Sequence, residues 1–439
     1  MSKRIAVVGM GQGGMVAAVY LARKYEVVVF ERDERGAVGY EWKDDITANI
    51  FGKAGLPMPD DDVYCQKAKW IFLSPNEKNV LRIPQLKPFA EISVRRRKLT
   101  DYFCDLAEKA GCELRFGVNV DGLIVEDEKV VGVKYDEKEE RFDLVIDASG
   151  LFSKLRSCLP KKFKVRENPD KNDVLYGYRA FFKANDGAET FDKGIENTMI
   201  IKHLGEEGIS WCNLNEENEA DVLIGKIGEL TDTDIEVRLA DLRKINPILS
   251  EEKIREKKVP VCLRCPIATP VADGYVAVGD SAFMPIPIMG SGIESSMTAG
   301  YILAKLLLDD DDFSAKGLWR FFVEFMETNG KNFLFLDLIR RLAFRLPSED
   351  IDGIFGCGLV TDEDLRFIML DKDSGRPKFK LSVWLKKPFT LFFDKRAKKI
   401  LPLVIKAEKR SRVVSRIPKK YDEKKIAVWV EKYDKALEI

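Results

Sequence analysis

Hydrophobic residues in this chain first appear as a short unbroken run, Ile5-Ala-Val-Val8, that leads into the glycine-rich turn Gly9-Met-Gly11-Gln-Gly-Gly14. Ala17, Ala18, Leu21 and Ala22 then recur at helical spacing, and Val27-Val-Val-Phe30 forms a second apolar run ending on Glu31. Unbroken runs of this length around a helix predict buried parallel strands. The pattern changes beyond Glu31. A polar loop over 32–45 carries Tyr40 and Trp42, a short helix is predicted from Ile46 to Leu56, and Pro57, Pro59 and Asp60 to Asp62 end it. Ala68 to Pro75 and Asn79 to Ile83 read as two strands around a turn, in a second layer that interrupts the first fold. A helix over Val94 to Ala110 presents Leu99, Tyr102, Phe103, Leu106, Ala107 and Ala110 on one face, and Gly111 closes it.

Short strands follow at Glu113 to Phe116, Gly122 to Val125, Val130 to Val133 and Arg141 to Ile146, returning to the core at Asp147-Ala-Ser-Gly150. Alternation dominates from Val174 to Ile227, which predicts a separate antiparallel sheet. Thr233 to Ile248 reads as helix, and Val259 to Pro266 re-enters the first domain. The expected architecture is α/β (α+β overall). A discontinuous Rossmann-like domain takes 1–66, 94–165 and 255–310, an antiparallel-sheet domain takes 67–93 and 166–254, and a helical, basic region takes 311–439.

The first turn carries specific chemistry. Gly9 permits the tight turn, Gly11 lets the backbone approach a pyrophosphate, and Gly14 lets helix and strand pack closely, with free N–H groups facing the phosphates. Glu31 can accept hydrogen bonds from the hydroxyls of an adenosine ribose. This reading leaves open whether the dinucleotide is NAD or FAD. Composition narrows the rest. The 72 basic and 72 acidic residues among 439 cancel, so no global field points to nucleic acid. Eight scattered cysteines and a start directly on a core strand, without a signal peptide, predict reduced thiols in a cytoplasmic protein. No apolar run approaches the roughly 20 residues that span a bilayer.

A second motif lies at Gly274-Tyr-Val-Ala-Val-Gly-Asp280, followed by Pro285-Ile-Pro-Ile-Met-Gly290-Ser-Gly292 at the start of a helix from Ile293 to Leu308. A strand delivers Asp280 at its C-terminal end, where open α/β sheets bind ligands, and a carboxylate there suits a polyol chain such as ribityl. Backbone N–H groups around Gly290 and Gly292 can bond a flat heterocycle. Arg95, Arg96 and Arg97 sit at a helix start, where positive charge opposes the dipole. They read either as a site for an anionic ligand or as a solvated basic patch. Tyr40 and Trp42 either pass near the reactive end of the dinucleotide or pack on a neighbouring domain.

Taken together, Gly9-x-Gly11-x-x-Gly14 with Glu31, Arg96 before a helix, Asp147-Ala-Ser-Gly150-x-x-Ser153-x-x-Arg156, and Gly279-Asp280 with Pro287-x-x-Gly290-x-Gly292 resemble the p-hydroxybenzoate hydroxylase fold of FAD enzymes. Within it, the chain is most similar to the geranylgeranyl reductase branch, over roughly residues 1–310. The resemblance implies a discontinuous Rossmann-like FAD domain, an antiparallel-sheet substrate domain and a helical C-terminal cap. It also implies that Gly9, Gly11, Gly14 and Glu31 hold the ADP half of FAD, that Arg96 lies by the pyrophosphate, and that Asp280 binds ribityl. Gly150 belongs to the same set, and Gly290 and Gly292 line the isoalloxazine.

The chain departs from the pattern in places. Aromatic hydroxylases carry Asp-Gly where this chain has Ser149-Gly150, with the aspartate two residues earlier at Asp147, which puts direct NADPH oxidation in doubt. Isoprenoid-reducing relatives commonly show Cys-Gly after the second strand, where Gly39-Tyr-Glu-Trp42 stands here. Of their Tyr-x-Trp-x-Phe-Pro strand only Trp211 survives, in Ile209-Ser-Trp211-Cys-Asn-Leu214, and the halogenase Trp-x-Trp-x-Ile-Pro signature is not found. Cys262-x-x-Cys265 lies on a strand-like approach to Pro266 and reads as two structural thiols. His203, the sole histidine, alternates with apolar residues on a predicted strand beside the substrate cavity, and no ligand cluster for a metal is visible.

From Arg376 to Lys420, sixteen Lys/Arg face only Asp394 and Glu408, interleaved with Trp384, Phe389, Leu391 to Phe393 and Ile400 to Ile405. Such a mixture suits either an anionic membrane surface or a cap whose apolar side packs inward. The expected function is FAD-dependent hydride reduction of a carbon–carbon double bond in an apolar, isoprenoid or lipid-like substrate. Trp211, Tyr40 and Trp42 lie nearest the chemistry. Electrons come from an external donor, a ferredoxin-like protein or NAD(P)H, and the protein is cytoplasmic, with peripheral contact at the inner membrane face through 376–420 as the further expectation. The alternatives are a monooxygenase on the same fold and a non-catalytic flavin- or lipid-binding protein.

Overall fold

The N-terminal apolar run becomes β1 (Arg4–Val8), the glycine turn leads into α1 (Gln12–Leu21), and the second run becomes β2 (Glu26–Phe30). These elements belong to a computed structural model that describes residues 2–67, 70–82, 90–187, 197–362 and 395–438. Next come β3 (Lys43–Thr47), α2 (Ile50–Lys53), β4 (Tyr64–Gln66), β5 (Trp70–Leu73), β6 (Val80–Arg82), β7 (Glu91–Arg95) and α3 (Arg96–Ala110). Five strands follow: β8 (Glu113–Arg115), β9 (Val120–Glu126), β10 (Lys129–Tyr135), β11 (Lys138–Arg141) and β12 (Leu144–Asp147). The middle of the chain forms β13 (Val174–Ala184), β14 (Asn197–Ile201), β15 (Gly208–Leu214), β16 (Glu219–Ile227), α4 (Asp232–Ile245) and β17 (Leu249–Cys262). The last strands are β18 (Val271–Ala272) and β19 (Tyr275–Ala277). Helices α5 (Ile293–Asp309), α6 (Ala315–Thr328), α7 (Phe333–Arg345), α8 (Ser348–Gly356), α9 (Lys395–Ser411) and α10 (Glu423–Ala436) complete the described chain.

The first sheet has the order β18-β19-β12-β1-β2-β8, with parallel pairing throughout except at β18. Burial of β1, β2 and β12 explains why those strands read as continuous apolar runs. α1 packs across α5 at a backbone-to-backbone approach, where a Cβ on Gly300 would overlap the carbonyl oxygen of Gly13. A three-stranded sheet of β3, β7 and β4 and another of β9, β10 and β11 flank this core.

The second large sheet has the order β17-β13-β16-β15-β14-β5-β6. It is antiparallel apart from the β14–β5 pair, so the Trp70 segment joins the layer expected for it. Period-2 alternation divides this sheet into two functional faces. Tyr178, Ala180, Phe182, Val222, Ile224 and Cys212 turn to one side, where Ile235, Leu239 and Leu242 of α4 cover them. Arg179, Leu223, Trp211, Met199, Trp70 and Phe72 turn to the other and line a cavity. Thr231 starts α4 with a reciprocal cap to Asp234.

Several boundaries differ from the sequence expectations. Lys43–Thr47 is a strand paired with β7, so the helix expected over Ile46 to Leu56 shrinks to Ile50–Lys53; β-branched Ile46 and Thr47 favour the extended state. Pairing of Val94 and Arg95 with β3 delays the start of α3 to Arg96. β17 keeps pairing along β13 up to Cys262, so the chain leaves this sheet after residue 262 rather than at 255. His203 is in a 3-10 turn after β14, not on a strand, because Lys202 adopts a left-handed backbone that ends the pairing.

The C-terminal helices pack on the first domain. Trp319, Phe321, Phe322 and Phe325 of α6 are buried in a core continuous with β1, and Ile400, Val404 and Ala407 of α9 turn into the same core. Lys395, Arg396, Lys398, Lys399 and Lys409 stay exposed, so α9 directs its basic side outward. Trp384 and Phe389 to Phe393 lie outside the described residues. No described helix is long and apolar enough to cross a membrane. All eight cysteines are free thiols, and burial pushes those of Cys262 and Cys265 well above the usual thiol range.

The α1–α5 crossing gives a direct test. Gly300→Ala should destabilise the protein by about 1–3 kcal/mol, because a methyl there forces two helices apart. Gly52→Ala has nothing within 4 Å of its Cβ and should change stability by less than about 1 kcal/mol. Urea unfolding of both variants measures the difference.

Candidate active site

A cavity of about 1460 Å³ runs between the C-terminal ends of the parallel sheet and the open face of the seven-stranded sheet. This exceeds the roughly 300–1,000 Å³ of an ordinary small-molecule pocket and leaves room for a dinucleotide and a second ligand. Its first end is the glycine turn. Gly9 has φ +89°, and a Cβ there would lie 2.6 Å from the Ala148 carbonyl oxygen. A Cβ on Gly14 would lie 2.6 Å from the Ala148 side chain and 2.9 Å from Val7, which is the close helix–strand packing expected of it. At Gly11 the atom that excludes a side chain is again the Ala148 oxygen, 2.9 Å away, at the neighbouring strand end.

Helix α1 starts from Gly11 with no side-chain cap and no acidic residue in its first turn, so its leading N–H groups are available to an anion. Glu31 is 8% exposed at the end of β2. Its carboxylate accepts from the N–H of Met10 at 3.0 Å and the N–H of Asp33 at 3.1 Å, which aims it into the cavity beside the turn.

The other end of this trough is built around Asp280, on a single 3-10 turn after β19. Its carboxylate has no hydrogen bond within the described residues, and burial pushes its pKa up while Arg96 pulls it back. An enclosed acceptor without a protein partner fits a ligand hydroxyl. A Cβ on Gly292 would lie 3.2 Å from Asp280 Oδ1, and one on Gly290, at φ +66°, would lie 2.5 Å from Val261 Cγ1. Gly292 begins α5 without a side-chain cap, giving a second exposed helix start. Gly150, at φ +95°, lines the trough and donates its N–H to Ser281 Oγ.

The three arginines of α3 separate. Arg95 pairs with Glu216 and Arg97 with Glu41, whereas Arg96 alone lines the cavity, bonded to Asp44 at 2.8 Å with its Nε unpartnered. Arg95 and Arg97 thus belong to solvated ion pairs, and Arg96 is the member of the cluster that faces the cavity. The Asp280 carboxylate, which has no partner among the described residues, the buried Arg96 Nε and two uncapped helix starts fit FAD. Asp147 is fully buried and accepts from Ser149, Ser153, Tyr275 and Ser281, so it is structural. Arg156 holds the carbonyls of Leu151, Glu167 and Ser281.

Beyond the flavin end, the sequence-predicted aromatics converge. Tyr40 and Trp42 stack at 4.2 Å, Arg179 lies 4.8 Å over Trp42 and 5.5 Å from Trp211, and Trp70 meets Trp211 edge-on. Trp211 Nε1 has no hydrogen-bond partner among the described residues. Arg179 escaped the sequence reading, although the alternation of Tyr176 to Phe182 already set it on the face opposite Tyr178 and Ala180. It is 6% exposed, forks onto Asp221 at 2.7 and 3.0 Å, and reaches Asp44 at 3.2 Å. His203, expected beside this cavity, instead bonds Ser210 and Asp241 on the α4 side.

No family model matches the chain. It is 25% identical over 375 residues to a digeranylgeranylglycerophospholipid reductase of Sulfolobus acidocaldarius, covering 82% of each chain. It is 28% identical over 370 residues to the enzyme of that name from Methanothrix thermoacetophila, covering 80% of this chain and 90% of that one. In structure it is similar to a geranylgeranyl bacteriochlorophyll reductase-like protein of Thermoplasma acidophilum, with a TM-score of 0.69 at 19% identity over 91% of this chain and 99% of the other. A flavin-dependent brominase has the same fold, with a TM-score of 0.63 at 19% identity over 93% of this chain and 100% of that one.

Glu31→Ala and Asp280→Ala should each lower FAD affinity about tenfold or more, the value of a hydrogen bond to a charged acceptor. Visible flavin absorbance per polypeptide after gel filtration checks it, and full retention by both variants contradicts the assignment.

Proposed function

We propose that this chain is an FAD-dependent oxidoreductase of the geranylgeranyl reductase family that reduces carbon–carbon double bonds of an isoprenoid, lipid-like substrate. The observation that carries this reading is the continuity of one cavity from a dinucleotide cradle to the open, largely apolar face of the seven-stranded sheet. The similarity to digeranylgeranylglycerophospholipid reductases over four fifths of the chain supports the isoprenoid class.

Gly9, Gly11, Gly14 and Glu31 hold the ADP half, Arg96 sits by the pyrophosphate, Asp280 takes the ribityl hydroxyls, and Gly150, Gly290 and Gly292 leave space along the flavin. FAD, once bound and reduced, supplies the hydride chemistry. The protein supplies orientation and dryness. Trp70, Phe72, Met199, Trp211 and Leu223 provide apolar contact for an isoprenoid chain on the sheet face. Tyr40, Trp42 and Trp211 form the wall where the double bond is held. Burial pushes the Tyr40 hydroxyl above its ordinary range, so at this wall it stands as a hydrogen-bond donor rather than as a ready acid.

Electrons come from an external donor, a ferredoxin-like protein or NAD(P)H; full engagement of Asp147 in internal hydrogen bonds supports a donor other than one bound at that aspartate. Eight free thiols suit a reducing cytoplasm. The outward basic side of α9 supports peripheral contact with an anionic membrane face within 376–420.

Anaerobic turnover of the chemically reduced protein with a geranylgeranyl lipid tests the proposal. The expected product gains two hydrogens per double bond, by mass spectrometry, with stoichiometric flavin reoxidation. Insertion of oxygen under air would identify a monooxygenase instead, and reduced flavin that no alkene reoxidises would identify a binding protein. Trp211→Ala should keep its FAD and lose about tenfold or more in turnover, since misplacing a substrate by about 1 Å costs up to a hundredfold.

A further inference from the structure

The α4 side of the seven-stranded sheet brings together three ligand-type side chains from separate segments. Glu77 sits in the turn between β5 and β6, His203 in the turn after β14, and Asp241 on α4. One ligand atom from each lies within 4.8 Å of the others. His203 Nε2 and Asp241 Oδ2 are 3.1 Å apart, the spacing of two adjacent ligands each about 2.1 Å from a shared ion.

We propose that Glu77, His203 and Asp241 bind one divalent transition-metal ion of the zinc or cobalt type, outside the catalytic cavity. Three features favour an ion over a chance cluster. First, the imidazole is positioned as a ligand: it is 1% exposed, and its far nitrogen, Nδ1, meets the hydroxyl of fully buried Ser210 at 2.8 Å. A hydroxyl accepts as well as donates, so Ser210 can hold the tautomer that frees Nε2 for a metal, the outer-shell support that ligating histidines generally have. Second, the Glu77 carboxylate makes no hydrogen bond or ion pair within the described residues, although it is half-buried next to Asp241. Third, Lys244 takes Asp241 through Oδ1 at 3.1 Å and leaves Oδ2 facing the histidine. Two carboxylates and one neutral imidazole, with the Lys244 ammonium paired to Asp241, leave a net charge of about −1 that attracts a cation.

The ion would act as a clamp. β5 carries Trp70 and Phe72 into the cavity wall, and it joins the sheet through the one parallel pair, with β14. Binding at Glu77 and His203 ties the far ends of those two strands to each other and to α4. The site is independent of the proposed reaction, so its test reads the metal rather than turnover.

The chain's single histidine makes that test unambiguous. Untagged full-length protein, stripped with a chelator, is followed through its one imidazole Hε1 resonance while Co²⁺ or Zn²⁺ is added. One equivalent of Co²⁺ should shift or broaden that resonance, and one equivalent of Zn²⁺ should move it and raise Tm. Glu77→Gln, on a half-buried turn, and Asp241→Asn should each weaken Zn²⁺ binding about tenfold or more. An imidazole signal unmoved by stoichiometric metal overturns the proposal, including where metal binds elsewhere, for example at thiols. Equal Zn²⁺ affinity in wild type and Glu77→Gln overturns it as well.

Discussion

One buried carboxylate holds the two halves of the cofactor cradle in register. Asp147 ends β12, and through Ser281 it ties that strand end to the turn that carries Asp280. Tyr275, at the start of the neighbouring strand, donates to the same carboxylate at 2.6 Å. The next residue, Ala148, is the surface against which Gly9, Gly11 and Gly14 all press. A fully buried charge persists only when its lone pairs are filled, and serine, tyrosine and backbone donors fill them here. Moving this strand end would displace the glycine turn and Asp280 together, so a residue with no cavity contact of its own sets the distance between the two ligand-holding ends.

The second organising constraint is the pleat of the seven-stranded sheet. A strand can bury one face under a helix and offer the other to a ligand only if its side chains alternate without a slip. β13 to β16 keep that alternation, so the α4 face is a closed core and the cavity face carries Arg179, Trp211 and Leu223. The same alternation places Ser210 away from the cavity, where His203 meets it from the turn after β14, and this separates the Glu77–His203–Asp241 cluster from the candidate active site.

Legibility in the sequence followed how local each signal is. The glycine turn, Glu31, Asp280 and the Gly290–Gly292 loop each depend on backbone conformations fixed within a few residues, and all four line the cavity. Alternation over Val174 to Ile227 was likewise enough to separate the antiparallel sheet from the parallel one. What remained hidden depends on contacts distant in the chain. The pairing of β3 with β7 turned the first two residues of an expected helix into strand, and the partners of Arg95 and Arg97 come from other segments. The reason Gly300 is glycine lies at Gly13, and no local pattern announces a helix crossing. Arg179 was visible as a residue but not as a lining group, because its role depends on Asp44 and Trp42 in another domain.

Arg179 ties the loop that carries Tyr40 and Trp42 to the seven-stranded sheet. The guanidinium leaves the sheet face, stays paired with Asp221 on the adjacent strand, and crosses to Asp44 and the Lys43 carbonyl while stacking on Trp42. Asp44 is shared with Arg96, and Arg96 lies over Tyr40, so one carboxylate couples the sheet, the aromatic loop and the helix start beside the cofactor trough. Only Arg179 and Asp221 form a buried pair here, and removing one partner of such a pair typically costs about 3–5 kcal/mol. The loop over Gly39 to Asp45 is thereby held as a preformed wall, with its aromatic stack fixed between two cations, Arg96 and Arg179. Side chains locked by packing and hydrogen bonds hold a reacting group more tightly than mobile ones. At this end of the cavity, a charged and aromatic clamp fixes the loop.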